Sequence, residues 1–168
     1  MSRRNWNHYR FHSRWTLPVP PAVVFAVLEH PEHYPRWWPQ VREARRVDDR
    51  TVTARVRSAA PYTLAVTLVG RRRDPAARVL ETALTGDLEG WARWTLAPHG
   101  DGGTLAEYEQ DVHLRAALPR RVALLARPLL RANHALMMRA GRRALAAHLK
   151  RFERNPPGPV WFSAFPGD

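Results

Sequence analysis

The sequence predicts an α+β domain: a curved antiparallel sheet of about seven strands wrapped around one long C-terminal helix, with two short helices after the first strand. Three observations carry this. Residues 9–17, and a series of segments between 41 and 115, alternate apolar with polar residues, the period of half-buried strands. The later segments follow one another with only turns between them, so antiparallel hairpins suffice to join them. From Pro119 to about Phe152 the period becomes helical.

The elements follow in order. In YRFHSRWTL, Tyr9, Phe11, Ser13, Trp15 and Leu17 share one face, and Arg10, His12, Arg14 and Thr16 the other. Pro18, Pro20 and Pro21 end this strand, and Pro21 suits the first position of the helix PAVVFAVLEH, where a missing N–H leaves nothing unpaired. PEHYPRWWPQV is confined by Pro35 and Pro39 to a turn or a single helical turn holding Trp37 and Trp38. Two adjacent indoles from a regular element point to opposite sides. Either one closes the mouth of a cavity while the other packs outside, or both plug the end of the core.

VREARRVD is a weak strand. TVTARVRS turns Val52, Ala54 and Val56 inward, and YTLAVTLVGRRR places Leu64, Val66 and Leu68 on one face. RVLETALTG and GWARWTLAP follow, with Trp91 and Trp94 on opposite faces of the latter. HGDGG is a hairpin turn, because its glycines accept positive φ. In TLAEYEQDVHLR, Glu107, Glu109 and Asp111 form an outer stripe beside the outward Arg10, Arg14 and Arg93, while Tyr108, Gln110 and Val112 point inward.

Pro128 interrupts the last helix, so a kink or break is expected there. Beyond it, steps of 100° place Leu130, His134, Met137, Gly141, Leu145, His148 and Phe152 on the inward stripe. Met138 and Ala144 flank that stripe, and Asn133 lies at its edge. Arg131, Arg139, Arg142, Arg143 and Lys150 fall on the far side. The chain thus divides into an N-terminal extension (1–8), one domain (9–153) and a flexible Pro/Gly/aromatic tail (154–168).

Composition bounds the function. There is no cysteine, hence no disulfide and no thiolate chemistry. The first residues, MSRRNWNHYRFHS, lack the apolar core of a secretory signal, and no stretch approaches the roughly 20 apolar residues of a membrane span. A soluble cytoplasmic protein is expected. The formal charge is +12, with Lys150 the only lysine. Ten basic residues and one acid, Glu153, lie between Arg120 and Arg154. Such arginine bias fits either the imprint of a GC-rich genome or a functional basic surface for an anionic partner.

A curved sheet around one helix leaves a space between them, the natural ligand site of such an architecture. FHSRWTLPVPPAVVFAVLEHPEHYPRWWPQV, LEGWARWTL with GGTLAEYEQDV, and RPLLRANHALMMRAGRRALAAHL together resemble the START-like or SRPBCC superfamily, the helix-grip fold, over about residues 9–150. The likeness is greatest to bacterial members called polyketide cyclase/dehydrase. The resemblance implies a cavity for a hydrophobic small molecule such as a lipid, a polyketide-like aromatic or a quinone. Because the superfamily includes carriers, enzymes and ribosome-associated factors, it does not fix the activity.

Trp38, Leu64, Val66, Trp94, Tyr108, Gln110, Leu130, Asn133, His134 and Met137 are the expected ligand-binding residues. Tyr108, Gln110, Asn133 and His134 would orient a polar group, and His134 is the candidate proton-transfer residue, because histidine titrates near neutrality. A buried His134 bonded to a strand side chain such as Tyr108 or Gln110 is the purely structural alternative. Met137 and Met138 fit either a cavity wall or plain core. Trp15, Trp94 and Tyr108 are large enough to fill the space altogether.

No metal site is expected: His30 and His33 of HPEH flank a proline, and there is no HExxH motif. No cofactor motif is present either; HGDGG has neither dinucleotide nor P-loop spacing. A cyclase or dehydratase working in the same cavity, or a basic RNA- or ribosome-associated factor, are the alternatives to a binding protein. The final helix alternates arginine with alanine and offers no aromatics for base stacking, which disfavours RNA. Oligomeric state has no signal in the sequence.

Overall fold

The computed structural model describes residues 7–57, 63–115, 120–152 and 154. Strand β1 (His8–Leu17) leads to helix α1 (Pro21–Leu28) and a 3-10 helix (Pro31–Arg36). Then come β2 (Val41–Arg46), β3 (Thr51–Arg57), β4 (Thr63–Asp74), β5 (Val79–Gly86), β6 (Leu88–His99), β7 (Gly103–Leu114) and α2 (Arg120–Phe152). The strands form one seven-stranded sheet in the order β1-β7-β6-β5-β4-β3-β2. Every pairing is antiparallel. β2 to β7 pair with their sequence neighbours, so the one long-range closure is β1 on β7. The tail from 155 onward lies outside the described residues. At the other end His8, assigned to an extension by the sequence, already pairs with His113 in the sheet.

Curvature has identifiable causes. The register shifts between Val41 and Glu43 and between Gly70 and Arg72, bulges that bend and twist a sheet. Gly90 adopts φ 153°, and a Cβ there would stand 2.0 Å from the Asp111 carbonyl oxygen. Only glycine lets β6 approach β7 so closely. The sheet therefore curls around α2, which covers its concave face.

The alternation sorts the faces as expected. Tyr9, Trp15 and Leu17 are buried while Arg10, His12 and Arg14 are exposed. On the outer face Arg10 meets Asp111 (2.7 Å), Arg14 meets Glu107 (2.8 Å), and Arg93 bridges Glu81 (2.7 Å) and Glu109 (3.8 Å). Such exposed cross-strand pairs stabilise by roughly 0.2–1 kcal/mol each, and they occupy these charges without any ligand. Trp91 shares that face, with the Arg93 guanidinium 5.0 Å from its ring centre.

One helical expectation is corrected and two are narrowed. α2 runs through Pro128 without a break. Pro128 is exposed there, so the bond it cannot make is lost on the watered side. The buried row of α2 is His134, Met138, Gly141, Leu145 and Leu149 rather than one through Met137 and His148. Of the two readings of the tryptophan pair, the structure has the one with both Trp37 and Trp38 buried, stacked at 5.3 Å and 18°. The 3-10 helix ends at Arg36, and the irregular backbone after it turns both indoles to the same side.

Candidate functional site

A cavity of about 220 Å³ lies between the concave sheet and α2. All ten residues expected to form a binding site line it. Leu64 and Val66 come from β4, Trp94 from β6, and Tyr108 and Gln110 from β7, each the inward member of its alternation. Leu130, Asn133, His134 and Met137 project from α2 one helical turn apart. Trp38 closes the wall from the segment after the 3-10 helix, and its Nε1 donates to the Met137 carbonyl at 3.3 Å.

His134 is the distinctive group. It is 9% exposed, and its imidazole stacks on Phe11 with centroids 3.8 Å apart and planes 11° from parallel. The Tyr108 ring lies beyond at 6.2 Å. Nε2 is buried and has no hydrogen-bond partner among the described residues. The expected bond to Tyr108 or Gln110 is not made, because those two serve each other: the Tyr108 hydroxyl donates to Gln110 Oε1 at 2.9 Å. Aromatic stacking has taken the place of that bond. Burial pushes the His134 pKa down to about 4, so the ring is neutral at pH 7. Burial also raises the Tyr108 phenol well above its ordinary value, so it acts as a hydroxyl and never as a phenolate.

A neutral imidazole with an unpaired nitrogen in an apolar wall is under-satisfied. Leaving such an atom buried without a partner costs roughly 1–3 kcal/mol, and a ligand hydroxyl or carbonyl can recover it. Nε2 accepts from a hydroxyl in one tautomer and donates to a carbonyl in the other. The arrangement can therefore grip the polar edge of an otherwise apolar molecule.

Sequence reasoning missed several wall residues. Phe11, placed on the inward face of β1, was not assigned to the site, yet it carries the closest contact to His134. Tyr34, from the aperiodic 3-10 helix, had no signal at all; its hydroxyl donates to the Leu28 carbonyl at 2.7 Å. Glu29, the C-cap of α1, reaches Arg73 of β4 at 2.8 Å, a nearly buried ion pair at the cavity edge. Arg50, Arg57 and Arg72 also reach the lining.

The HPEH segment is more compact than its proline suggests. His30 Nδ1 lies 3.3 Å from Glu32 Oε1, and single donor atoms of His30, Glu32 and His33 fall within 4.8 Å of one another. The Arg46 guanidinium is hydrogen-bonded to the same Glu32 oxygen. Burial alone would raise the Glu32 carboxyl, but the His30 hydrogen bond, its own backbone and the Arg46 charge outweigh that and hold it low.

Comparisons with known proteins agree with this geometry. A family model described as polyketide cyclase/dehydrase and lipid transport matches residues 8–154. No curated protein matches the sequence. Among solved structures, the Zhui aromatase/cyclase from Streptomyces sp. R1128 superposes with TM-score 0.74 at 19% identity, covering 90% of this chain and 99% of that one. A START superfamily protein from Mycobacterium smegmatis gives 0.64 at 16% identity, covering 85% and 98%. A conserved protein from Geobacillus kaustophilus gives 0.69 at 11% identity, covering 86% and 97%. At such identities these likenesses show the helix-grip fold. No helix among the described residues is long and apolar enough to cross a membrane.

Proposed function

The chain belongs to the polyketide cyclase/dehydrase and lipid transport family, and on that premise we propose that its cavity binds one compact hydrophobic molecule, held by apolar walls and oriented by His134. The observation that carries this reading is His134 in the wall of an apolar cavity, its Nε2 buried and without a partner among the described residues. An apolar cavity of roughly 150 Å³ accepts benzene, and drug-sized ligands occupy roughly 300–1,000 Å³. At about 220 Å³ the space suits one or two fused rings or a short acyl chain. Apolar burial supplies most of the affinity, and the Phe11–His134 stack favours a flat ring.

Paired probes test the orienting role. 1-Naphthol carries a hydroxyl that naphthalene lacks. The wild-type protein should bind 1-naphthol about two- to tenfold more tightly, the worth of one net hydrogen bond. His134→Phe should bind both probes alike. An unchanged preference in His134→Phe would remove His134 from the reading.

A cyclase or dehydratase would use the same cavity with His134 moving the proton. Its pKa of about 4 supports binding over catalysis. At neutral pH the ring is not an imidazolium, so it lacks the readily transferred proton of a general acid, and it is a weak base. Turnover of a model poly-β-ketone, lost in His134→Phe, is the result that would favour the enzyme.

A further inference from the structure

The outer face of α2 has a composition that a solvated helix does not need. Every exposed position from Leu129 to Arg151 is leucine, alanine, arginine or lysine. No aspartate or glutamate occurs anywhere in α2. Helix faces that only meet water interleave acids with bases and gain from i,i+4 pairs. Here Arg139 and Arg143 are like charges four apart, a mildly repulsive arrangement with no acid on the helix to relieve it. Among the described residues, two of the three large hydrophobic side chains most exposed to solvent also lie on this face: Leu129 at 62% and Leu136 at 57%. Leu129, Leu136, Arg143 and Lys150 stand seven residues apart, a row almost parallel to the helix axis.

We propose that this face of α2 docks on a bilayer surface rich in anionic lipid headgroups, with Leu129 and Leu136 in the headgroup–acyl boundary and the arginines on the phosphates. A bilayer uses both features at once, because interfacial helices bind through buried apolar area together with basic attraction to anionic lipid. RNA would use only the charge: exposed leucines make no phosphate contact, and the described outer face has no aromatic on which a base stacks. The inward side of the same segment carries Leu130, His134 and Met137, so a docked membrane lies one helix thickness from the cavity. The inference rests on the helix surface alone and is independent of what the cavity holds.

Co-sedimentation of the full chain with vesicles tests it. Phosphatidylcholine vesicles containing phosphatidylglycerol should pull the protein down, and pure phosphatidylcholine vesicles should not. Arg142→Glu with Arg143→Glu should abolish binding, and Leu129→Ser with Leu136→Ser should weaken it roughly tenfold at unchanged charge. These positions are exposed, so thermal unfolding should be unchanged; Leu136→Gln alone serves as a milder second variant. No sedimentation with phosphatidylglycerol vesicles at low salt would overturn the proposal. So would leucine variants that bind like wild type, or an oligoribonucleotide that binds more tightly than the vesicles, since each marks a face that reads charge only.

Discussion

The two halves of α2 face different interiors. The C-terminal half, around Gly141, Leu145 and Leu149, meets a closed core. Trp15 packs edge-on against Trp38 and Trp94 at 5.7 and 4.8 Å, and Leu145 and Leu149 are fully buried. The N-terminal half, around Leu130, His134 and Met137, meets the cavity, whose sheet side is lined by Val66, Leu84 and Val112. One helix thus does two jobs. Its indole-plugged end anchors it to the sheet, and that anchor lets the other end stand off from the sheet and leave space.

Gly141 shows how the closed half is made. A Cβ there would lie 2.7 Å from the Trp38 indole and 3.1 Å from Trp15. Glycine in a helix interior costs about 1 kcal/mol relative to alanine. Here it admits two rigid rings that fill the end of the fold.

The sharpest way to break this comparison is to remove an indole. Trp38→Ala should lower unfolding stability by roughly 3–5 kcal/mol in denaturant titration, the usual range for an aromatic lost from a packed core. A loss near zero would mean that the plug is not an anchor.

Acid comes next. His134 is neutral in the folded protein, with a pKa of about 4 against an ordinary 6.5. Between those values the unfolded chain takes up a proton that the folded chain refuses, so stability rises with pH through this window. Stability should be complete above about pH 6.5 and fall by about 3 kcal/mol toward pH 4 from this group alone. Chemical denaturation at several pH values should show a shallower slope in His134→Phe. His33 and His148, both also shifted down chiefly by burial, account for slope that remains.

In the open half, Leu84→Ala should cost only about 2 kcal/mol, the low end for leucine, because its side chain already borders empty space. The smallest change sharpens the contrast. Gly141→Ala gains helix propensity yet must push rigid indoles aside, so thermal melts should show a net loss of about 1 kcal/mol. A gain would mean that the closed half has slack.

The strands and their inward faces were legible because period-2 alternation is written residue by residue. This is why Leu64, Val66, Trp94, Tyr108 and Gln110 could be brought to one cavity from sequence. The phase of α2 was legible at His134, Gly141 and Leu145 but not at Met137 and His148. A single stripe assumes that the helix faces the same thing throughout, whereas its buried row shifts to Met138 and Leu149 as cavity gives way to core. Of the two readings of Trp37 and Trp38, the plugged core end is the one found, and the opposite-sides reading fails because the rule for adjacent residues holds only in regular elements. Phe11 was placed on the correct face, but its stacking on His134 is a contact between β1 and α2 that no spacing encodes. The charge of α2 was plain in the sequence, and the exposure of Leu129 and Leu136 emerged only with the fold.

The N-terminal half of α2 is proposed to enclose a ligand site. Native mass spectrometry of the purified protein with 1-naphthol tests it most directly, set beside Val66→Phe, which fills the cavity from β4. Wild type should carry one bound equivalent, or show displacement of a co-purifying hydrophobic molecule. A Val66→Phe protein that melts at the same temperature or higher should carry none. Equal uptake by both proteins would contradict it.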